Sequence, residues 1–500
     1  MKYEAVIGLE IHIQLATKSK MFCGSDNKDT LEPNVNVCPI CTGHPGTLPV
    51  LNKEAVKMGM KMALALNCRI NQESKFDRKH YFYPDLPKGY QISQNDQPLA
   101  QNGSLMIYPD GLNGTTININ RLHLEEDSAK NVHTSEGTLV DFNRAGTPLI
   151  EIVTEPTIKS PQDAKLFLQE LQMIARYLKI SSADLEKGHM RCDANISLRQ
   201  IGDEALYTKT EIKNLNSFKA VERALEYEIN RQTELWDNDQ APEVLETRGW
   251  DDKNQKTVLQ RTKEAQADYR YFPEPDIPPL NISEDEIMKI KNQIPELPND
   301  RRERFKEEYY LSYADAKLIT ADPILSDYFE NTISELRAWL DSLDSTEGSD
   351  AEIWAQNGQK LCRLVKNWLT SDIFGLLIKN NLELKKIKIT PENFAEFISL
   401  IYQNKINSTA AKKIIEVMFN KGADPSQVME EGKFEQVQDQ DAIGQACDEA
   451  IKTNQSSVKD FQAGKDKALM FLVGQVMKKM KGKANPQMIT DILRVKLKNK

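Results

Sequence analysis

Carboxylate and imidazole side chains recur at alternate positions in short apolar segments of the chain. In the segment 3–14, Glu10, His12 and Gln14 alternate with isoleucine and leucine residues. Successive side chains of a strand lie on opposite faces, so these three polar residues share one face. The same alternation marks four further segments, which carry Arg121, His123 and Glu125; Glu151; Arg191, Asp193 and Asn195; and Lys209, Glu211 and Lys213.

Acidic residues on five predicted strands favour metal and phosphate chemistry. A single acid in a strand usually lies on the solvated face of an antiparallel sheet. Two of the five segments, however, also pair the acid with a histidine two residues away. Carboxylate oxygens with an imidazole suit a divalent cation that holds nucleotide phosphates, and interleaved Arg and Lys suit phosphate or carboxylate groups. The sheet is therefore predicted to be the floor of a metal–ATP site.

Three cysteines lie close together near the N-terminus. Cys38 and Cys41 form a C-x-x-C pair, and Cys23 lies upstream. A structural zinc ion normally has four ligands, and Ser25 stands where a fourth cysteine would complete the set. The other candidates for the fourth ligand are Asp26 and His44. A zinc site and a group of free cysteines in a Gly/Pro-rich loop both stay open.

Two segments, 75–91 and 247–276, combine basic and aromatic residues. Aromatic rings stack on bases while Arg and Lys contact phosphates, so both segments are candidates for RNA contacts. The alternative is a pair of surface loops held by aromatic anchors. The sequence has no G-x-x-x-x-G-K-[ST] segment, which is the usual phosphate-binding loop. Any ATP chemistry is therefore expected on the sheet.

The elements that must position these residues change in character near Pro295. Before it, short alternating segments are separated by Gly, Pro and Asn clusters, and helices are predicted at about 52–66, 161–178 and 217–236. After it, amphipathic helices dominate, with a polar loop predicted at 341–350. The pattern indicates an α+β architecture with an antiparallel sheet followed by helices.

The length of 500 residues exceeds what one hydrophobic core supports. We expect a sheet domain at 1–293, a helical domain at 294–405 and a small helical tail domain at 406–500. No apolar run approaches the roughly 20 residues that cross a bilayer, and no signal peptide is evident. The seven cysteines show no disulfide framework, which favours a reducing, cytoplasmic setting without membrane attachment.

Charge is distributed unevenly along the chain. The formal net charge of −9 argues against a chain that binds nucleic acid over its whole surface. Residues 451–500, however, hold twelve Lys or Arg against three Asp, a local charge of +9. This segment either meets a phosphate backbone or forms a solvated helical tail.

Seven strings of the sequence, between residues 6 and 276, resemble in order those of one protein family, the B subunit of the bacterial aspartyl/glutamyl-tRNA amidotransferase. The resemblance extends over essentially the whole chain. The strings are VIGLEIH (6–12), FDRKHYFYPD (76–85), HLEED (123–127), NRAGTPLIE (143–151), RCDANIS (191–197), KNLNS (213–217) and DYRYFPEPD (268–276). The strings are long and non-repetitive, so this resemblance is far more specific than any single motif.

The resemblance implies a fold, a reaction and partners. The sheet domain is expected to form a cradle similar to the catalytic domain of glutamine synthetase, with the tail domain contacting tRNA. The implied complex contains an amidase-type A subunit, which releases ammonia from glutamine, and a small C subunit. The B subunit would use ATP to phosphorylate the misacylated Glu or Asp on tRNA, and ammonia would displace phosphate. This is the reaction of a carbon–nitrogen ligase with glutamine as nitrogen donor.

The resemblance also assigns residues. The implied metal and nucleotide floor consists of Glu10, His12, Glu125, Glu151, Asp193 and Glu211, and the expected Mg²⁺ ligands among them are His12, Glu125, Glu151 and Glu10. Lys79, Lys88 and Glu126 are candidates for the ammonia path or for substrate contacts. Many relatives carry a C-x-C pair as part of a zinc site, whereas this chain has Ser25 in place of one cysteine.

Two other functions are compatible with parts of the sequence. One is a catalytically silent scaffold that binds tRNA for a partner enzyme, and the other is a zinc-bearing RNA-binding module. The retained acids and histidine at each sheet position favour the enzyme. The sequence leaves open whether the substrate is Glu-tRNA(Gln), Asp-tRNA(Asn) or both.

Overall fold

The computed structural model describes residues 2–263, 268–341, 349–435, 440–462, 464–480 and 484–498. The chain forms two compact units, Met1–Arg301 and Arg302–Lys500. The loop expected at 341–350 falls, over 342–348, outside the described residues.

The first unit is built from strands with four helices between or after them. The strands are β1 (Tyr3–Gln14), β2 (Arg69–Ile70), β3 (Glu73–Ser74), β4 (Asp77–His80), β5 (Tyr90–Ser93), β6 (Ala100–Ile107), β7 (Thr115–Glu126), β8 (Lys130–Thr134), β9 (Gly137–Asp141), β10 (Pro148–Thr154), β11 (Met190–Gln200), β12 (Thr210–Lys213), β13 (Leu245–Asp251), β14 (Lys256–Lys263), β15 (Phe272–Pro273) and β16 (Leu280–Asn281). The helices are α1 (Lys53–Ala65), α2 (Pro161–Tyr177), α3 (Phe218–Asp237) and α4 (Glu284–Lys291).

Nine strands form one large sheet in the order β14-β13-β12-β11-β1-β10-β7-β6-β2. Neighbouring strands are antiparallel except β12 and β13, which are parallel. Smaller sheets pair β15-β4-β5, β16-β3 and β8-β9. The prediction of an α+β domain with a large antiparallel sheet is confirmed.

The large sheet has one apolar and one polar face, as the alternation in β1 illustrates. Leu9, Ile11 and Ile13 are buried in a cluster that includes residues of α1, α2 and α3. Burying each such side chain contributes roughly 1.5–3 kcal/mol. The apolar face therefore fixes the register of the central strands, and Glu10 and His12 of β1 must lie on the opposite face.

Three capped helices lie where the sequence predicts them. Asn52 accepts hydrogen bonds from the first turn of α1, while Ser160 and Ser217 cap α2 and α3 by accepting from backbone N–H groups three residues on. Pro161 occupies the first turn of α2, where its missing N–H costs nothing. Such caps satisfy backbone donors that the helix itself leaves unpaired.

The second unit is helical. Its helices are α5 (Pro298–Glu308, which starts in the first unit), α6 (Tyr313–Ile319), α7 (Pro323–Asp341), α8 (Asp350–Asn367), α9 (Phe374–Lys379), α10 (Pro391–Tyr402), α11 (Ser408–Lys421), α12 (Pro425–Glu431), α13 (Gln440–Thr453), α14 (Gln455–Gln462), α15 (Asp466–Lys479) and α16 (Pro486–Lys498), with a π-helical turn at Trp368–Ile373 and a 3₁₀ turn at Leu384–Lys386. None of the described helices is both long and apolar enough to cross a membrane.

Two separate hydrophobic clusters stabilise these helices. One gathers buried residues from Phe305 to Met429, and the other gathers buried residues from Ile443 to Leu497. The division into domains at 1–293, 294–405 and 406–500 stays a prediction.

Candidate functional site

The polar face of the central strands brings the predicted residues into one row. β11, β1, β10 and β7 are neighbours in that order. His12 lies opposite Arg191 on one side and opposite Glu151 on the other, and Glu151 lies opposite His123. Directly opposed residues of antiparallel strands are about 4.5–5.5 Å apart at Cβ. Residues that are distant in sequence are therefore close enough for their side chains to meet.

His12 lies between two buried carboxylates. Its Nε2 atom is 3.3 Å from Glu125 Oε1 and 3.2 Å from Glu151 Oε2. Glu125 and Glu151 are only 2% and 4% exposed. Ser93 donates a 3.1 Å hydrogen bond to Glu125 Oε2, which orients that carboxylate. Three of the four predicted magnesium ligands thus form one compact cluster.

The pKa values of this cluster are shifted by its charges. Burial opposes the protonation of His12, but hydrogen bonds to Glu125 and Glu151 outweigh burial and raise the His12 pKa to about 10. Burial also disfavours the charged carboxylates, yet the neighbouring histidines hold the pKa of Glu125 and of Glu151 well below the usual range. Without a metal, the cluster is therefore an imidazolium between two carboxylates at neutral pH.

His123 is a further member of the cluster, which the sequence prediction left out of the ligand set. Its Nε2 atom is 3.4 Å from Glu151 Oε2 and 3.8 Å from Glu125 Oε2. Its buried Nδ1 atom has no hydrogen-bond partner among the described residues. Burial opposes its charge, but the adjacent Glu151 raises the pKa of His123 to about 9. The signal for it is its position on the same strand face, two residues before Glu125.

The donor set fits a divalent cation. Glu10, His12 and Glu151 each present a ligand atom within 4.8 Å of the others, and so do His123, Glu125 and Glu151. Oxygen-rich sets of this kind suit Mg²⁺ and Mn²⁺. Burial and the nearby Glu151 raise the pKa of Glu10, because negative charges crowd this face. A bound cation relieves such repulsion, and Glu10 fits its predicted place in the set.

Asp193 and Glu211 lie on the same polar face but outside the two triads. Asp193 is opposite Glu10 on the neighbouring strand. Lys213 Nζ lies 2.5 Å from Asp193 Oδ2 and 3.1 Å from Glu211 Oε1, and Thr247 donates a 2.8 Å hydrogen bond to Glu211 Oε2. These two acids therefore form a second group, which is already partly neutralised by a lysine.

The three residues predicted for substrate contacts or the ammonia path occupy two places. Lys79 of β4 lies 5.0 Å from the ring centroid of Tyr269. Burial opposes its charge, but the negative charge of Glu125 outweighs burial and raises the Lys79 pKa. Lys88 and Glu126 instead form an ion pair with each other.

The Lys88–Glu126 pair lines a cavity of about 210 Å³, which Arg78 and Cys41 also line. The Ile92 N–H group donates a 3.0 Å hydrogen bond to Glu126 Oε1. This bond and the lysine fix the carboxylate at the cavity wall. The cavity joins the ion pair to the cysteine group of the N-terminal loop.

The sulfur atoms of Cys23, Cys38 and Cys41 lie within 4.8 Å of one another. The Ser25 hydroxyl oxygen is 3.8 Å from Cys41 Sγ, and Lys20, which is fully buried, places Nζ 3.6 Å from the same sulfur. Three thiols, a hydroxyl and an ammonium group thus meet where a structural zinc ion requires four strong ligands.

The proton distribution of this cysteine group is uneven. A hydrogen bond from Cys23 lowers the pKa of Cys41 to about 4, and the same bond raises the pKa of Cys23. These opposite shifts favour negative charge on Cys41 rather than on Cys23. Asp26 forms an ion pair with Lys28 at 3.2 Å and is not part of the group. Zinc binding stays a prediction.

Comparisons with known proteins cover most of the chain. Residues 5–288 match the family described as the GatB/GatE catalytic domain, and residues 352–497 match the GatB domain. Proteins of Brevibacillus brevis, Halalkalibacterium halodurans and Thermotoga maritima are 45%, 46% and 44% identical to this chain. The aligned regions cover 98–99% of this chain and 98% of each relative. Each relative is named as the B subunit of an aspartyl/glutamyl-tRNA(Asn/Gln) amidotransferase.

The chain belongs to this family of amidotransferase B subunits. The resemblance noted in the sequence is confirmed over the full length, and the acid cluster lies inside the region that matches the catalytic domain of the family. The match to the GatB domain covers residues 451–497 of the basic C-terminal segment. Within that segment Lys465 pairs with Asp460 and Lys496 with Asp448. Other cations there, such as Lys467, are exposed.

Proposed function

We propose that this family member is the kinase and transamidase subunit of a tRNA-dependent amidotransferase. The observation that carries the proposal is the cluster of His12, Glu125 and Glu151 on the polar face of the sheet. The names of the relatives supply the substrate class, which is misacylated tRNA. We infer that ATP activates the carboxylate on the polar face of the sheet, as the implied similarity to glutamine synthetase suggests.

The proposed reaction has two steps. A side-chain carboxylate oxygen of the tRNA-bound Glu or Asp attacks the γ-phosphorus of ATP, and the bond from that phosphorus to ADP breaks. Ammonia then attacks the acyl carbon and loses a proton, while the carbon–oxygen bond breaks and phosphate leaves with that oxygen. Activation is required because a free carboxylate lacks a good leaving group, and phosphoryl transfer depends mainly on positioning and charge stabilisation.

His12, Glu125, Glu151 and Glu10 would hold Mg²⁺ in this scheme. When bound, Mg²⁺ neutralises negative charge on the phosphates of ATP. His12 must lose its proton to serve as a ligand, and its contacts with Glu125 and Glu151, which raise its pKa, oppose that loss until a cation binds. His123 contacts Glu125 and Glu151 from the other side and orients them.

The remaining floor residues provide paired charges around this centre. Lys213 holds Asp193 and Glu211 in place, so both carboxylates present a fixed edge to an incoming nucleotide–metal complex. The charge of Glu125 raises the Lys79 pKa and so favours a positively charged Lys79, which would attract the substrate carboxylate. The roles of Asp193, Glu211 and Lys213 follow from the face of the large sheet that these three residues share.

Ammonia would come from a glutaminase partner, the amidase-type A subunit, in a complex with a small C subunit. The relatives are named as one subunit of an enzyme, which supports a multi-subunit assembly. The Lys88–Glu126 pair and its cavity of about 210 Å³ are the proposed segment of the ammonia path in this chain. The pair supplies polar groups in a space large enough for a small molecule.

The basic C-terminal segment would contact the tRNA backbone. Its twelve basic residues against three acidic ones suit electrostatic contact with phosphates. All seven cysteines are unpaired, which supports the reducing, cytoplasmic setting. The alternative function, a catalytically silent tRNA scaffold, predicts tRNA binding with no use of the acid cluster.

A reconstituted reaction tests the proposal. The purified protein is combined with its A and C partners, γ-labelled ATP, magnesium, glutamine and Glu-tRNA(Gln) or Asp-tRNA(Asn). We expect phosphate release that requires the misacylated tRNA, together with the amidated aminoacyl-tRNA. Tight tRNA binding with neither phosphate release nor amide for both tRNAs would favour the scaffold instead.

A further inference from the structure

Most Arg and Lys side chains on the polar face of the sheet are paired with acidic residues of the same face. Arg121 Nη2 lies 3.9 Å from Glu151 Oε1, and Lys213 bonds Asp193 and Glu211. Such cations balance charge that is already on the sheet. A cation that neutralises the negative charge of a bound ligand must keep N–H donors that are not already used by acids of the sheet.

Arg191 differs from these cations in its partner. Its Nη2 atom donates a 2.8 Å hydrogen bond to Asp127 Oδ2, and Asp127 belongs to neither ligand triad. An arginine has five N–H donors in a planar fork. Within the described part of the chain, the guanidinium of Arg191 makes this one hydrogen bond. The Arg191 side chain is 38% exposed.

The position of Arg191 places it beside the metal cluster. It is the direct cross-strand neighbour of His12, on the opposite side of β1 from Glu151. Burial disfavours its charge, but Asp127 and Glu125 outweigh burial and raise the Arg191 pKa. A permanently charged, partly exposed guanidinium therefore lies one strand from His12 of the predicted metal site.

Asp127 is built to hold that guanidinium. Its side chain is 3% exposed, and its Oδ2 atom also accepts a 3.0 Å hydrogen bond from Gln14. The Ser128 N–H group donates a 2.9 Å hydrogen bond to Oδ1, and Arg144 Nε lies 3.5 Å from Oδ2. A carboxylate held by so many donors is a rigid anchor, so one edge of Arg191 is fixed and its remaining donors are available.

We propose that Arg191 is a further catalytic residue, which binds the phosphoryl group transferred from ATP, and that Asp127 is its positioning residue. This inference rests on the proposed function. A guanidinium fork matches two phosphate oxygens and keeps its charge at any working pH. Arg191 neither forms a covalent bond nor moves a proton. It stabilises negative charge on the phosphoryl oxygens while the bond to ADP breaks and the bond to the carboxylate oxygen forms.

Steady-state kinetics of the reconstituted complex test this role with Arg191→Ala and Arg191→Lys. We expect both to lower kcat for tRNA-dependent phosphate release, by at least about 100-fold for Arg191→Ala, the size of effect seen when one transition-state donor is removed. The KM for misacylated tRNA and the thermal midpoint should stay at wild-type values. Added guanidinium ions should restore part of the Arg191→Ala rate, which they would not do for a merely structural defect.

Arg199→Ala is the matched control. Arg199 lies on the same face of the same strand and pairs with Glu4 at 2.6 Å, eight positions from Arg191 along β11. Removing it should leave kcat unchanged. Asp127→Asn should lower kcat in the same direction as Arg191→Ala, with a normal tRNA KM and without rescue by guanidinium ions, because Arg191 is still present.

The kinetic results distinguish failure of the role proposed for Arg191 from failure of the proposed function, on which that role rests. Wild-type kcat in either Arg191 variant overturns the inference alone. Loss of folding in Arg191→Ala leaves the decision to Arg191→Lys, which retains the aliphatic stem and the charge but lacks the fork. No tRNA-dependent phosphate release by the wild-type complex overturns both the proposed function and the inference.

Discussion

His12 Nε2 lies 3.2 Å from Glu151 Oε2, although 139 positions separate the two residues in the chain. They are directly opposed on neighbouring antiparallel strands, and Glu125 closes the group from the next strand. The sheet therefore assembles from three distant segments the donor set that the proposed activity requires.

Removing the buried carboxylate of Glu125 should stop phosphoryl transfer. We expect Glu125→Gln to lower the rate of tRNA-dependent phosphate release by at least about 100-fold, since an amide keeps the shape but loses the charge that binds a cation. The rate is measured with γ-labelled ATP, and tRNA affinity is measured by filter binding. Glu4→Gln, at the other end of β1 and paired with Arg199, is the control and should retain activity. Normal turnover in Glu125→Gln would contradict the role of Glu125 as a metal ligand in phosphoryl transfer.

Metal binding should release a proton from His12. Its pKa of about 10 in the metal-free protein means that it is protonated at pH 8, whereas a ligand imidazole must be neutral. We therefore expect about one proton released per Mg²⁺ or Mn²⁺ and an affinity that rises from pH 7 towards pH 10. Calorimetry in two buffers with different ionisation enthalpies gives the proton count. A binding enthalpy independent of the buffer would contradict protonation of this histidine.

The basic C-terminal segment should supply phosphate contacts. Lys467, Lys478 and Arg494 are exposed. Reversing all three to Glu should weaken tRNA binding and reduce the slope of log K against log salt by about one per lost contact. Titration of labelled tRNA at several salt concentrations measures both quantities.

A matched reversal separates local contacts from total charge. Lys360, Lys386 and Lys405 are also exposed and lie in the same compact unit, outside the predicted tail domain at 406–500. The same three changes to Glu at those positions should weaken binding much less. Equal losses of tRNA affinity in both triple variants would indicate a general effect of charge. They would contradict the proposal that the basic C-terminal segment contacts tRNA.

The cysteine group should need one more thiol to hold zinc firmly. Cys23, Cys38 and Cys41 supply three sulfurs, and Ser25 Oγ lies 3.8 Å from the nearest of them. We expect Ser25→Cys to retain about one zinc per chain through purification, because four thiolates complete a tetrahedral site, and the wild-type protein to retain much less. Elemental analysis after dialysis decides this. Stoichiometric zinc in the wild-type protein would show that the group holds zinc without a fourth thiol.

The alternation of polar and apolar residues predicted which residues share a face, because a strand has a period of two. Glu10 and His12 could be placed opposite Leu9 and Ile11 on that basis alone, and the buried isoleucines confirm it. The order of the strands could not be predicted from the same pattern. The position of β10 between β1 and β7 depends on long-range pairing, which no local signal encodes.

Because the strand order could not be predicted, the sequence prediction missed a member of the cluster. His123 joins the cluster because β7 lies next to β10, which sets it opposite Glu151. The resemblance grouped Lys79 with Lys88, yet Lys88 pairs with Glu126, whereas the pKa of Lys79 responds to the charge of Glu125. Glu125 and Glu126 are neighbours in β7 and therefore lie on opposite faces of the strand. Their surroundings differ although they are adjacent in sequence.

Isotope transfer tests the central claim most directly. The reconstituted complex is given ATP, glutamine and tRNA(Gln) charged with glutamate whose side-chain carboxylate carries ¹⁸O, and the released phosphate is analysed by mass spectrometry. If the carboxylate attacks the γ-phosphorus and ammonia then displaces phosphate, each phosphate released during amide formation carries one oxygen from the glutamate. Amide formation with no ¹⁸O in the phosphate would contradict activation of the carboxylate by phosphorylation.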